Sequence, residues 1–330
     1  MDAVMHRPVA GQCSRWLAAA LSGLLAACAS TAPAPAPAIP SVTIERDDDA
    51  GELRLVLGGR TALGWQYHDQ HAFPHWYPLT SPSGRHLLVQ QTEPYPHHRA
   101  MWIADKVQLG DGPIADFYHC EQNRTAAGYR HVIRQLAMPR ADVQDGAAVV
   151  EVTLQWLVDG QVPVLDDQRR FTLQPLADGE FLLDLEWTLR ASHGPVTFHS
   201  DWVHYAWPFL RIDRQFAVER GGVLQDDVAR RSQGGTDGQY ANWVDVSCKT
   251  ADGAEGVAVF TPQDGQWRKW LTRDYGTFGP RRPDAQSGRR FTLATGETLP
   301  GRVRLYVHRG FADDGRVAAR YREFVREVGK

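Results

Sequence analysis

Polar and apolar residues alternate along most of this chain with a period of two, the pattern of half-buried strands. Glu52-Leu53-Arg54-Leu55-Val56-Leu57 alternates and then meets the turn pair Gly58-Gly59. Similar runs recur at His86–Gln91, Ala147–Val158, Arg169–Leu173, Phe181–Leu189, Asn242–Val246, Gly256–Phe260, Arg290–Leu293 and Arg302–Val307. Gly, Pro, Asp and Asn punctuate the gaps, as in Ser81-Pro82-Ser83-Gly84 and Asp252-Gly253. One late segment has the helical period instead. After Asp313, read as its N-cap, Arg316–Glu327 carries Val317, Arg320, Tyr321 and Phe324 on one face, with Val328 just beyond. Many strands and one C-terminal helix predict an all-β protein, a β-sandwich or supersandwich. No repeat and no mid-chain linker divides residues 42–330, so a single domain is expected.

The first 41 residues follow other rules. Arg7 and Arg15 precede a short apolar run, Trp16–Ala27, below the ~20 residues that span a bilayer. Leu25-Ala26-Ala27-Cys28 resembles the lipobox of bacterial lipoproteins, which implies cleavage after residue 27 and lipidation of the Cys28 thiol. Ala29 in the next position points to the outer membrane. Residues 28–41 then form an extended Ala/Pro tether. The expected placement is therefore lipid-anchored and periplasm-facing, touching the membrane only through the anchor. A net charge of −3 with mixed signs argues against a nucleic-acid partner. Of four cysteines, Cys120 and Cys248 remain in the folded part, either as a disulfide or as two separate thiols.

Three stretches carry a resemblance. They are Phe73-Pro74-His75-Trp76-Tyr77-Pro78-Leu79 with Ser81–Gly84, Pro94-Tyr95-Pro96-His97-His98-Arg99-Ala100-Met101-Trp102, and Ala241-Asn242-Trp243-Val244-Asp245 followed by Arg273–Phe278. Together they resemble the bacterial PmoA-like family, labelled methane oxygenase, over most of the mature chain. Tyr95 stands where that family has a His, and Ala100 where it has a Gly. The resemblance implies a galactose-mutarotase-like sandwich in a secreted, sugar-processing setting. The mature chain has no apolar run of transmembrane length, so methane chemistry is not expected.

Candidate chemistry gathers in three places. His97-His98-Arg99 follows two prolines on a stiff loop entering a strand, which turns adjacent side chains to opposite faces. One His would face a cleft as acid or base, with Arg99 pairing to the substrate. His199 and Asp201 share strand parity and read as a His supported by a carboxylate. Trp267, Trp270, Arg273, Asp274 and Tyr275 have the composition of a sugar subsite, to which Trp243 adds. The expected catalytic set is therefore His97, His98, Asp201 and Asp274. The expected substrate contacts are Arg99, His199, Trp243, Trp270, Arg273 and Tyr275. His119 and Glu121, together with the His97–His98 pair, are a weaker zinc or iron site, without a ligand spacing to support it; no cofactor is expected. The partner is a carbohydrate or another polyhydroxylated small molecule. The function read from these residues is a carbohydrate-active enzyme of hydrolase, lyase or epimerase type. The alternatives are a glycan-binding lipoprotein without turnover and a metal-dependent oxygenase.

Overall fold

A computed structural model describes residues 38–122, 124–126, 128–199 and 205–329. Cys28, the expected lipidation position, and Asp201 lie outside them. About half of the described residues are strand, helix is scarce, and all of them belong to one compact unit. Two eight-stranded antiparallel sheets form the sandwich. The first runs Val42–Asp47, Glu52–Leu57, Arg60–Gln66, His75–Leu79, Met101–Trp102, Phe209–Arg211, Thr277–Pro280 and Trp270–Arg273. The second runs Val132–Gln144, Ala147–Val158, Val162–Pro175, Phe181–Arg190, Thr298–Arg309, Gly253–Phe260, Trp243–Thr250 and Val223–Asp226. A smaller four-stranded sheet orders Phe291–Leu293, Val196–Phe198, Lys106–Leu109 and Ile114–Asp116.

The alternation explains the core. In Ala147–Val158 the side chains of Ala148, Val150, Val152, Leu154, Trp156 and Val158 are buried, and most of the intervening ones are half-exposed. Both large sheets contribute to one continuous apolar cluster, in which Trp65, Trp76 and Phe171 meet across the sandwich. A second cluster forms where the C-terminal helix, Val317–Val328, lays Val317, Tyr321 and Phe324 on Trp243, Phe260 and Tyr306.

Three local expectations are corrected. His86–Gln91 alternates in sequence but joins its neighbours only through the isolated bridges Thr80–His86 and Leu88–Ile212, so it is a loop. The helix does not start from Asp313. Arg316 precedes it in the left-handed region at φ 55°, and Asp313 closes a turn by accepting the Arg316 amide at 3.1 Å. A five-residue helix, Ser232–Thr236, is added, whose Gln-Gly-Gly interior has no apolar period to reveal it. Among the described residues, no helix is long and apolar enough to cross a membrane.

Candidate active site

The small sheet builds the first part of the site. Lys106 and Asp116 are register partners on neighbouring strands, so their side chains leave the same face. Asp116 Oδ2 lies 3.1 Å from Lys106 Nζ and 2.8 Å from His119 Nδ1, and Asp116 Oδ1 accepts the His119 amide at 3.0 Å. Burial pushes this carboxyl up, yet the bonds from His119 and Lys106 outweigh it and hold Asp116 below its ordinary range. A carboxylate only accepts, so the neutral His119 ring carries its proton on Nδ1 and leaves Nε2 as the basic nitrogen. His119 is about a quarter exposed, at 28%. On the adjoining strand end, His199 bonds Gln108 Oε1 at 2.8 Å, and its amide donates to Lys106 O.

The Thr92–Arg99 segment forms the opposite wall. The amide of Tyr95 donates to Thr92 O, that of His98 to Tyr95 O, and that of Gln91 to His98 O. This is a tight turn and not a strand, so His97 and His98 do not diverge to opposite faces; their ring centroids are 4.4 Å apart. His97 Nδ1 accepts from Gln122 Nε2 at 2.7 Å, which places its proton on Nε2, and its ring stands 5.0 Å from that of His119. His98 is stacked on Tyr95 and packed by Trp102 and Phe209, with the Tyr118 hydroxyl 3.4 Å from Nε2. Its Nδ1 is buried without a partner. Burial, reinforced by His119, pulls His97 down to about 4. Burial, reinforced by His97 and Arg211, pulls His98 down to about 2. Both rings are therefore neutral near pH 7 and serve as hydrogen-bonding groups rather than cations.

Tyrosines and arginines fill the space between the walls. Tyr118 and Tyr205 stack at 4.0 Å with an interplanar angle of 18°, and the buried Tyr205 hydroxyl has no partner. Desolvation raises both phenols, which stay protonated. The Arg211 guanidinium sits 4.5 Å over the Tyr275 ring and donates to Tyr275 O at 2.9 Å, while its Nε is unpaired. Tyr275 in turn meets Tyr95 at 5.3 Å. Arg273 pairs with Asp237 at 2.8 Å, and its charge is felt at the Tyr118 hydroxyl.

The fold thus brings His97, His98, Arg273 and Tyr275 together around Tyr118, and sets His199 on the flank of the His119–Asp116 pair. It does not bring the others. Arg99 turns inward to Glu121 at 2.8 Å, both side chains 3% exposed, so it braces the loop and does not face a ligand. Asp274 points away from Tyr275 and accepts the Gln233 amide at 2.7 Å. Trp270 is fully buried with its indole N–H given to Ala241 O, so it offers no face for stacking. Trp243 lies on the other sheet, under the C-terminal helix. Cys120 and Cys248 are separate buried thiols. Glu121 is already committed to Arg99, Tyr129 and the Ala72 amide. Among the described residues, no group of three or more His, Cys, Asp or Glu side chains is arranged to hold a metal ion. Asp116, Lys106, Tyr118, Tyr205 and Arg211 are additions. The Asp116-x-x-His119 spacing was the one legible sign of them.

Comparison with solved structures finds several partial similarities. An α-galactosidase, AgaA from Geobacillus stearothermophilus, superposes with a TM-score of 0.42 at 12% identity, over 83% of this chain and 41% of the other. The galactosidase domain of the α-galactosidase–sucrose kinase AgaSK gives 0.42 and 12%, over 80% and 41%. A polysaccharide lyase, BACCELL_00875, gives 0.38 and 13%, over 85% and 34%. The chain thus spans about two-fifths or less of the length of these proteins. No curated protein matches the sequence. Residues 52–322 do match a family defined across its members, and with most of the chain inside that match, the protein belongs to the family of unknown function DUF6807.

Proposed function

We propose that this protein is a carbohydrate-active enzyme that transfers a proton with His119. The observation that carries the reading is the His119–Asp116–Lys106 arrangement. It leaves Nε2 as the basic nitrogen of the partly exposed His119, beside a cluster whose buried polar atoms, His98 Nδ1, Tyr205 Oη and Arg211 Nε, lack partners. Unpaired buried donors and acceptors are costly, and a hydroxyl-rich ligand is the kind of molecule that satisfies several at once. Asp116 fixes the tautomer and orientation of His119 and stabilises its cation once the proton has moved. The neutral Nε2–H of His97 and the protonated phenol of Tyr118 are the neighbouring donors to a substrate oxygen.

Two carboxylates beside the cluster, among the described residues, favour one class of reaction. Asp116 is engaged by Lys106 and His119, and Glu121 by Arg99. A glycosidase pair needs two carboxyl groups free to flank the scissile bond. Proton abstraction by a His–Asp pair, as in lyase or epimerase chemistry, fits these commitments better. The enzyme is further proposed to work facing the periplasm from the outer membrane, tethered by lipid on Cys28.

The test is turnover of an oligosaccharide and polysaccharide panel by wild type, His119→Asn and Asp116→Asn, followed by reducing ends and by the absorbance of newly formed double bonds. General acid–base groups contribute about 10²–10⁴-fold, so His119→Asn should lose at least 100-fold of kcat while keeping its fold by circular dichroism. Full activity in His119→Asn would remove the dyad from the mechanism. Glycan binding by the wild type with no turnover would favour a binding lipoprotein instead.

A further inference from the structure

A second cleft opens at the other end of the strand that carries Arg273. It encloses about 450 Å³ and is lined by Asp227, Tyr240, Asn242 and residues of the 261–268 loop, Trp267 among them. That volume lies within the range of small-molecule sites, about 300–1,000 Å³. Trp267 is 69% exposed, which is unusual for the largest apolar side chain. It meets Tyr240 at 6.0 Å and 74°, so the two rings make an open corner.

The corner is held in place. The Tyr240 hydroxyl donates to Asp284, whose own amide donates to Trp267 O at 2.9 Å, and Lys269 Nζ lies 5.2 Å over the Tyr240 ring. The Tyr240 ring and the Trp267 backbone are thus held before any ligand arrives, which lowers the ordering cost of binding. Asp227 Oδ2 accepts both amide groups of Asn242, at 3.0 and 2.6 Å, whereas Oδ1 has no partner. Arg268, the cation in the cleft lining, is already paired with Asp264 at 2.6 Å, and Lys269 is engaged with the Tyr240 ring. The cleft therefore offers stacking surface and a spare acceptor, and its lining cation is already committed.

From this geometry we infer that the cleft is a glycan-anchoring subsite for a neutral sugar unit, the apolar ring face lying on Trp267 and a hydroxyl donating to Asp227. None of the residues that line the cleft belongs to the His119 cluster, so the subsite is distinct from it. It would hold a polymer chain while the cluster acts on it, and it shares only the ligand class with the function proposed above.

The experiment is affinity electrophoresis and calorimetry of the full chain with cellohexaose and xylohexaose, with tetragalacturonate as the charged control. Wild type should bind at least one neutral hexasaccharide, and Trp267→Ala and Tyr240→Ala should each weaken it tenfold or more. His119→Asn should bind as wild type does, which separates failure of this subsite from failure of the catalytic reading. Equal binding by Trp267→Ala and wild type, or preference for tetragalacturonate over both neutral probes, would overturn the inference. So would the absence of binding to either neutral probe. Trp267 is exposed, so its variant should melt as wild type does.

Discussion

Arg99 provides the sharpest test of how the site is partitioned, because its sequence context suggests a ligand contact and its surroundings make it a brace. The perturbation is Arg99→Met, which keeps most of the side-chain volume and removes the charge. Glu121 would then be a buried carboxylate left with the Tyr129 hydroxyl at 2.8 Å and the Ala72 amide at 3.1 Å. Breaking a buried ion pair from one side costs about 3–5 kcal/mol. The two surviving hydrogen bonds put this case at the lower end, about 3 kcal/mol. For a domain of this size about 2 °C is lost per kcal/mol, so the melting temperature should fall by about 6 °C. Adding Glu121→Gln removes the stranded charge and should recover part of the loss, a coupling of about 2 kcal/mol in a double-mutant cycle. Urea unfolding of the four proteins measures it. A stability change under 1 kcal/mol in Arg99→Met, combined with a large drop in kcat/KM, would refute the bracing role and return Arg99 to the substrate.

Acid should weaken the fold through two buried histidines. Burial lowers His75 to about 3 and His98 to about 2, against 6.5 unfolded. Below pH 6.5 the unfolded chain takes up protons that these rings refuse, so stability present above that pH drains as it falls. Between pH 6.5 and 4.5 each ring should account for roughly 2 kcal/mol. Urea midpoints across that range should decline less steeply in His98→Gln, and identical slopes would show that His98 is not held neutral. For the anchor, Cys28→Ser should move the protein from the membrane pellet to the soluble periplasmic fraction. Continued pelleting of the variant would exclude lipid on Cys28 as the tether.

The strands were legible where one face is buried and the other is not. Glu52–Leu57 and Ala147–Val158 fall where the alternation places them, and Gly58-Gly59 and Asp252-Gly253 make the turns. Val132–Gln144 was not legible, and the reason is physical. Register shifts at Gln135/Ala137 and Ala137/Arg140 break the period of two, and Pro139 is tolerated because the strand lies at a sheet edge. The His97–His98 pair was recognisable as unusual, but its geometry depends on a turn closed by backbone bonds from Tyr95, His98 and Gln91. No side-chain pattern announces such a turn.

Sorting the polar residues needed more than their identity. Arg99, Arg211 and Arg273 look equivalent along the chain, yet one meets a buried carboxylate, one lies over a tyrosine ring, and one is tied to Asp237 at the cluster's rim. The same holds for tryptophan: Trp270 and Trp267 are three residues apart, and the first is a core residue while the second stands open to solvent. A long cation or a large ring lowers its free energy either by pairing inside or by meeting solvent and ligand outside. Which outcome prevails depends on the partner that the other sheet brings to it. The His119–Asp116 pair escapes this ambiguity because both members come from one short segment, three residues apart, and need only the local turn to meet. That local pairing is one reason we propose His119 for the proton-transferring step. The neighbouring His97 and His98 are neutral through burial that only the assembled sandwich supplies.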